Sequence, residues 1–301
     1  MTTAIAPPPR TRNRRRTQRS AYLYILPALI VVVGIVYLGI GYNGWLSTLD
    51  WNGISPNPER VGFGNYLEIA ADPIFWTAVG NVAVFGVIVI VVQMALGLAM
   101  ALLLNGAVRG RGIYKVVMFM PVVLAPAAIS TAFRQFYAEN GIFNDILRFV
   151  GLESVSQAWL ANPSTALYAI AVINIWQWTG FSFILYQAAL SQLDENMFEA
   201  AQIDGASDWR IVRSIVIPQL RGTHATLALT GVIGALKTFD IVYLTTGGGP
   251  GRSTEFLTTY IYKQTVEQFH SGYAAALSMV LLVLALTLTV VQMRAYRFGA
   301  R

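Results

Sequence analysis

Apolar residues fall along this chain in long blocks, not in short alternating runs. Stretches of very low charge cover roughly 22–46, 75–104, 113–136, 165–188, 220–245 and 272–293. Each reaches about 20 residues, the length a helix needs to cross a hydrocarbon core. Only helices and closed barrels satisfy their own backbone polar groups in lipid. The pattern therefore predicts an all-α, polytopic membrane protein with six transmembrane helices. The second run, Ile74 to Leu104, is longer than a bilayer requires, so it should tilt or project into water. The third contains "MFMPVVLAP", where Pro121 and Pro126 each remove a backbone hydrogen bond and should bend the helix. Tyr22, Tyr24, Trp45, Trp51, Trp76, Trp159 and Tyr273 lie near run ends, as interfacial aromatics do.

Composition agrees with this reading. Of the 301 residues, 55% are hydrophobic and 12% charged, against about 25% charged in soluble domains. Charge position then orients the chain. With the N-terminus inside, the cytoplasmic pieces hold fifteen basic residues: six in "RTRNRRRTQR" from Arg10 to Arg19, then Arg109, Arg111, Lys115, Arg210, Arg213, Arg221, Arg294, Arg297 and Arg301. The opposite loops hold four: Arg60, Arg148, Arg252 and Lys263. The positive-inside rule thus places both termini in the cytoplasm. Because the arginine cluster abuts a span, it reads as a cytoplasmic tail and not as a nucleic-acid arm. A cleaved signal peptide fits poorly, since the run that follows is too long and lacks a small-x-small site.

The expected organisation is a basic cytoplasmic tail at 1–20, a six-helix transmembrane domain at 21–297 with a distinctive loop at 191–218, and a cytoplasmic end at 298–301. The chain has no cysteine and two histidines, His224 and His270, so no metal site is expected. The external segments, Ser47 to Pro73, Tyr137 to Ser164 and Thr246 to Ser271, are too short for a catalytic domain.

The cytoplasmic segment Ser191 to Leu220 is polar and helix-forming. Ser191 followed by Asp194 resembles a capping box, and Asp194, Glu195 and Glu199 fall early in the helix, where its dipole favours negative charge. Leu193, Met197 and Ala200 or Ala201 form an apolar stripe. Gly205 should stop this helix in a left-handed conformation. Ser207 can cap a second helix with Trp209, Val212 and Val216 as its apolar face, and Pro218 fits the start of the fifth span.

The pattern Glu199-Ala200-Ala201, three residues, Gly205, nine residues, Ile215, one residue, Ile217 and Pro218 resembles the EAA motif of ABC importer permeases. Ile217 stands where many members have Leu. "FDIVYLTTGGGPGRSTEFLTTYIY" from Phe239, "GYAAALSMVLLVLAL" from Gly272 and "VGFGNYLEI" from Val61 are similar to segments of the carbohydrate-type permeases, relatives of the maltose and glycerol-3-phosphate importers. The resemblance spans roughly 20–297 and implies a permease subunit without its own ATPase site. It implies as partners a second homologous permease, two nucleotide-binding subunits that hold ATP and Mg, an extracytoplasmic solute-binding protein and a sugar, oligosaccharide or polyol. The same resemblance makes 191–218 the coupling loop, with Glu199, Ala200, Ala201, Gly205, Ala206 and Pro218 seated against an ATPase subunit, in the plasma membrane of a prokaryote.

"TGGGPGRS" at Thr246 to Ser253 departs from the phosphate-binding pattern at Thr246 and Arg252, so it reads as an external glycine-rich turn. For the solute path, polar residues inside spans are the candidates. "NIWQWTGFS" supplies Asn174, Trp176, Gln177 and Trp178, amides and aromatic faces of the kind that bind sugars. Lys237 and Asp240, three apart, are placed to pair on one helix face, and Gln93 is a further candidate. Helix-to-helix hydrogen bonding and lipid-interface placement of the tryptophans are the competing roles for the span-four residues, and snorkelling near the external end is that for Lys237 and Asp240. A secondary transporter would carry a titratable group near the midplane, yet Asp240 is the only acid within a predicted span and lies near its end. No set of residues suggests a membrane enzyme.

Overall fold

The computed structural model describes residues 24–105 and 109–299, so the basic tail, Tyr22 and the last two residues lie outside the described residues. The described residues are mostly helical, with one short two-stranded ribbon among them, β1 (Leu49–Asp50) against β2 (Glu59–Arg60). Among the described residues, four helices are long and apolar enough to cross a membrane. They are α1 (Tyr24–Leu46), α3 (Pro73–Leu103), α7 (Ala166–Leu190) and the last helix, α13 (Ser271–Gly299, apolar through Tyr296). α2 (Gly64–Ala71) lies between the ribbon and α3.

The third apolar run is a bent pair, α4 (Arg111–Val123) and α5 (Pro126–Phe136), whose axes differ by 94°. The two prolines do not act alike. Pro121 sits inside α4, whereas Leu124 and Ala125 are extended and Pro126 starts α5. A residue before proline is pushed out of the helical region, and proline itself is tolerated in a first turn, so the break falls at 124–125. α6 (Ile142–Phe149) follows. The fifth run is also divided. α10 (Arg221–Lys237) ends at an extended Thr238, and α11 (Asp240–Thr245) resumes after Phe239.

Small residues let these helices approach. α3 and α7 run side by side and parallel, and a Cβ at Gly97 would stand 2.7 Å from that of Ser182. Earlier along the same face of α3, a Cβ at Gly231 of α10 would stand 2.6 Å from Ile90 Cγ1, and one at Gly86 3.2 Å from the Ala235 Cβ. A Cβ at Gly180 would collide with the Met118 carbonyl of α4. Helices in lipid associate through such packing, because lipid tails are as apolar as leucine.

At the ribbon end, Asp72 joins three elements. Its carboxylate caps α3, accepting from the Ile74 amide at 2.8 Å, and also accepts from Tyr260 at 2.5 Å and Tyr273 at 2.9 Å. Tyr260 lies in α12 (Leu257–Tyr262), and burial followed by the Asp72 contact pushes its pKa up to about 12, which keeps it a donor. Tyr273 is therefore a buried ligand of Asp72, 8% exposed, and not an interfacial aromatic. Trp159 departs from that role too, donating to the Asn144 side chain at 2.9 Å. α1 touches the remainder only near its end, where Asn43 donates to the Ala275 carbonyl at 3.2 Å; residues 24–42 are exposed.

Gly180→Ala is expected to destabilise the protein by about 1–3 kcal/mol, the usual cost of overpacking. Gly80→Ala, with nothing within 4 Å of its Cβ, should be neutral. Thermal unfolding of the two variants in detergent compares them.

Candidate functional site

Two regions stand out, a surface ledge at one end of the bundle and a cavity within it. The ledge is built by 191–220. α7 runs to Leu190, a turn follows, and α8 (Glu195–Ile203) begins at Asp194. The cap is Asp194, not Ser191: its carboxylate accepts from the Asn196 amide at 3.0 Å. The Ser191 hydroxyl instead donates back to the Ala188 carbonyl at 2.9 Å, because Ser191 closes α7.

α8 stops as its sequence predicts. Gly205 has φ of +77°, its amide donates to Gln202 at 3.0 Å, and the Ala206 amide donates to Ala201 at 3.0 Å. These two bonds make a Schellman stop, and Ala201 and Ala206 both pack inward on one cluster, as its hydrophobic contact requires. Phe198 joins them. Glu199 and Ala200 face out, beside Ile203 at 86% exposed.

Beyond Gly205 the chain forms α9 over 208–219, made of Asp208–Ile211, a π-turn Val212–Val216 and Ile217–Gln219. Ser207 precedes it but makes no side-chain cap bond. The inward face is Ile211, Val216 and Leu220, which pack with Phe183, Tyr186 and Leu190 of α7. Trp209 is not part of that face, being 70% exposed. The π-turn shifts the helical phase after Ile211, and Trp209 lies on the side the inward residues leave free. Pro218 starts the last turn before the kink at Leu220.

The cavity, about 420 Å³, lies among α3, α7, α10 and α11. Gln93, Asn174, Gln177, Trp178, Lys237 and Asp240 line it, together with Phe181, Ser182, Thr230 and Thr238. Its volume falls within the range of about 300–1,000 Å³ common to small-molecule sites. Gln93 donates to the side-chain oxygen of Asn174 at 3.0 Å and to its carbonyl at 3.1 Å, tying α3 to α7 at the wall. Lys237 and Asp240 form no ion pair among the described residues. The break at 238–239 puts them on two helices, so helical three-residue spacing does not apply. Trp176 points elsewhere. It lines a separate aromatic groove of about 1020 Å³ and meets Phe133 with ring centroids 5.3 Å apart.

Sequence reading missed several lining residues, since Phe181, Ser182, Thr230 and Thr238 carry no charge or amide to mark them. Among the basic residues that the sequence assigns to the external loops, Lys263 turns out to be an ion-pair partner. Lys263 pairs with the buried carboxylate of Glu255 at 2.6 Å, under the glycine turn, and Glu255 accepts from Thr259 at 2.7 Å. In that turn Gly248 has φ of +88°, and a Cβ there would meet the Lys263 and Glu255 side chains at 2.8 and 2.9 Å. Among the described residues no three histidine, aspartate or glutamate side chains cluster as a metal site.

A family profile described as "Binding-protein-dependent transport system inner membrane component" matches residues 12–296. The chain belongs to that family. Two permeases illustrate the relationship. The probable ABC transporter permease protein YurN of Bacillus subtilis (strain 168) is 33% identical over 281 residues, covering 92% of this chain and 96% of the relative. The lactose transport system permease protein LacF of Rhizobium radiobacter is 31% identical over 292 residues, covering 96% and 97%. The fold of this permease also resembles a chain in the crystal structure of a bacterial ABC transporter involved in the import of the acidic polysaccharide alginate, with TM-score 0.81, 20% identity, and 95% and 98% of the two chains covered.

In the permease, Gly205→Ala should loosen the stop of α8 by about 1 kcal/mol, because a Cβ is strained in the left-handed region. Gly205→Asn, whose residue type tolerates that region, should cost less. Hydrogen exchange at the 205 and 206 amides reads the difference.

Proposed function

We propose that this chain is one of two permease subunits of an ATP-driven, binding-protein-dependent importer of a sugar, oligosaccharide or related polyol in a prokaryotic plasma membrane. It crosses the membrane six times, with α4 and α5 as one broken span, α10 and α11 as another, and both termini in the cytoplasm. ATP and Mg are held by two nucleotide-binding partner subunits.

The observation that carries this reading is the two-sided construction of 191–220. Glu199, Ala200 and Ile203 are exposed on its outer side, while Phe198, Ala201, Ala206 and Ile211 are packed on the bundle. A short helix with a free outer face and a packed inner one fits a groove on a moving partner and passes displacement inward. Glu199 offers the partner a charge, Ala200 allows close approach, Ala201 seats the helix, and Gly205, Ala206 and Pro218 set the bends. The charge asymmetry of the sequence, fifteen basic residues against four, supports this side being cytoplasmic.

The amides, the Trp178 ring and the hydroxyls of the cavity suit a polyhydroxylated solute, and the lactose relative supports that class. Gln93, Asn174, Gln177, Trp178, Lys237 and Asp240 are assigned to the path; Trp176 is assigned to packing. The exposed α1 supports a second permease as neighbour, and a solute-binding protein would dock at the ribbon end. In that role the chain hydrolyses nothing itself.

Glu199→Lys is expected to abolish co-purification of the ATPase subunits and to lower ATP-driven uptake at least about tenfold, equivalent to about 1.4 kcal/mol. Both are read on the co-expressed complex in vesicles. Normal retention and normal uptake would remove the proposal.

A further inference from the structure

Inside the apolar cluster that joins 191–220 to the bundle lies a polar contact that reaches the inner side of the ledge and does not line the cavity. The hydroxyl of Tyr186 on α7, a residue 1% exposed, is 2.6 Å from Nδ1 of His224 on α10. Nε2 of the same imidazole is 3.2 Å from the carbonyl oxygen of Ile217. A carbonyl only accepts, so Nε2 carries the proton and donates to Ile217. Nδ1 of that neutral ring then accepts from the Tyr186 hydroxyl. Both ring nitrogens are thereby used, and the rings meet edge to face with centroids 5.3 Å apart.

The position of Ile217 gives the contact its meaning. It directly follows the π-turn Val212–Val216 and precedes Pro218 and the kink at Leu220, so it lies among the irregular turns of 208–220. Such turns are where a helix changes register. The surrounding contacts of Ile211, Val216 and Leu220 are apolar and without direction, so they permit sliding. A hydrogen bond to each ring nitrogen fixes distance and direction instead. On the other side, Tyr186 lies on the same unbroken helix as Trp178, Phe181 and Ser182, which line the cavity.

We infer that Tyr186 and His224 form a strut that makes α7 follow the 191–220 segment, so that movement at the ledge reshapes the cavity wall. They are positioning residues, acting on the path through α7. The inference rests on the importer reading above and adds to it the route by which the two regions communicate.

The test uses the natural absence of cysteine. Phe181→Cys is introduced in the full complex with its ATPase subunits, and its rate of maleimide labelling is measured with and without Mg-ATP plus vanadate. Trapping nucleotide is expected to change the rate about fivefold or more, the lower end of ordinary coupling between sites. Adding Tyr186→Phe or His224→Phe should erase that change while the ATPase subunits still co-purify. His224→Gln, which keeps one donor and one acceptor, should restore it. The double Phe variant should be no worse than either single, as expected of two groups in one link. A full nucleotide response in both single Phe variants overturns the strut, as does loss of ATPase co-purification in both, which would make the pair a folding element of the loop. No response in the Phe181→Cys complex without further change overturns the importer reading itself.

Discussion

The close parallel contact of α3 with α7 is the constraint on which the other parts of this permease depend. In a membrane there is no gain from hiding leucine among lipid tails, so two long helices stay together only if their backbones come near enough for dense packing. Gly97 against Ser182 supplies that approach, and Gln93 bonded to Asn174 adds a polar tie within the same seam. Gly86 and Gly231 bring α10 onto the same face of α3, about one to three turns earlier, and Gly180 brings in α4. The cavity is the space left where α10 and α11 part at 238–239 beside this seam.

The same seam reaches the ledge without interruption. Ala101 of α3, with Phe183, Tyr186 and Leu190 of α7, forms the floor on which Ile211, Val216 and Leu220 rest, and Phe198, Ala201 and Ala206 pack against it. The ledge is thus an extension of the bundle core, packed on its inner side and open on its outer side. At the far end Asp72 collects α3, α12 and α13 through Ile74, Tyr260 and Tyr273, and the Glu255–Lys263 pair closes the glycine turn nearby. Between these ends the spans break at 124–125 and 238–239, while π-turns stand within the ends themselves, at 212–216 and 263–267. A bundle anchored at both ends and broken in between has defined places where its helices can bend.

How much of this was legible depended on the reach of each signal. The stop at Gly205 and the break near Pro126 are local: each follows from what one residue does to its own backbone, and both stand where the sequence places them. The cap of α8 was misplaced by one step of the same local logic, since Asp194 and Ser191 both have the chemistry and only the end of α7 at Leu190 decides between them. Trp209 was assigned inward from periodicity, a rule that fails where a π-turn alters the phase. Lys237 and Asp240 were read as a helical pair, and the extended Thr238 between them removes the premise.

By itself the sequence determined the helical class, the apolar runs, the family and the positions of the stops. These depend on composition and on interactions within a few residues, which chain order already contains. Tertiary structure alone decided that Gln93 meets Asn174 while Trp176 turns away to Phe133, that Lys263 is paired with a buried Glu255, and that Tyr186 reaches His224. Those contacts join residues on different helices, or across a turn with no period of its own, and their geometry is set by how closely glycines allow the helices to pack. No spacing along the chain encodes that distance.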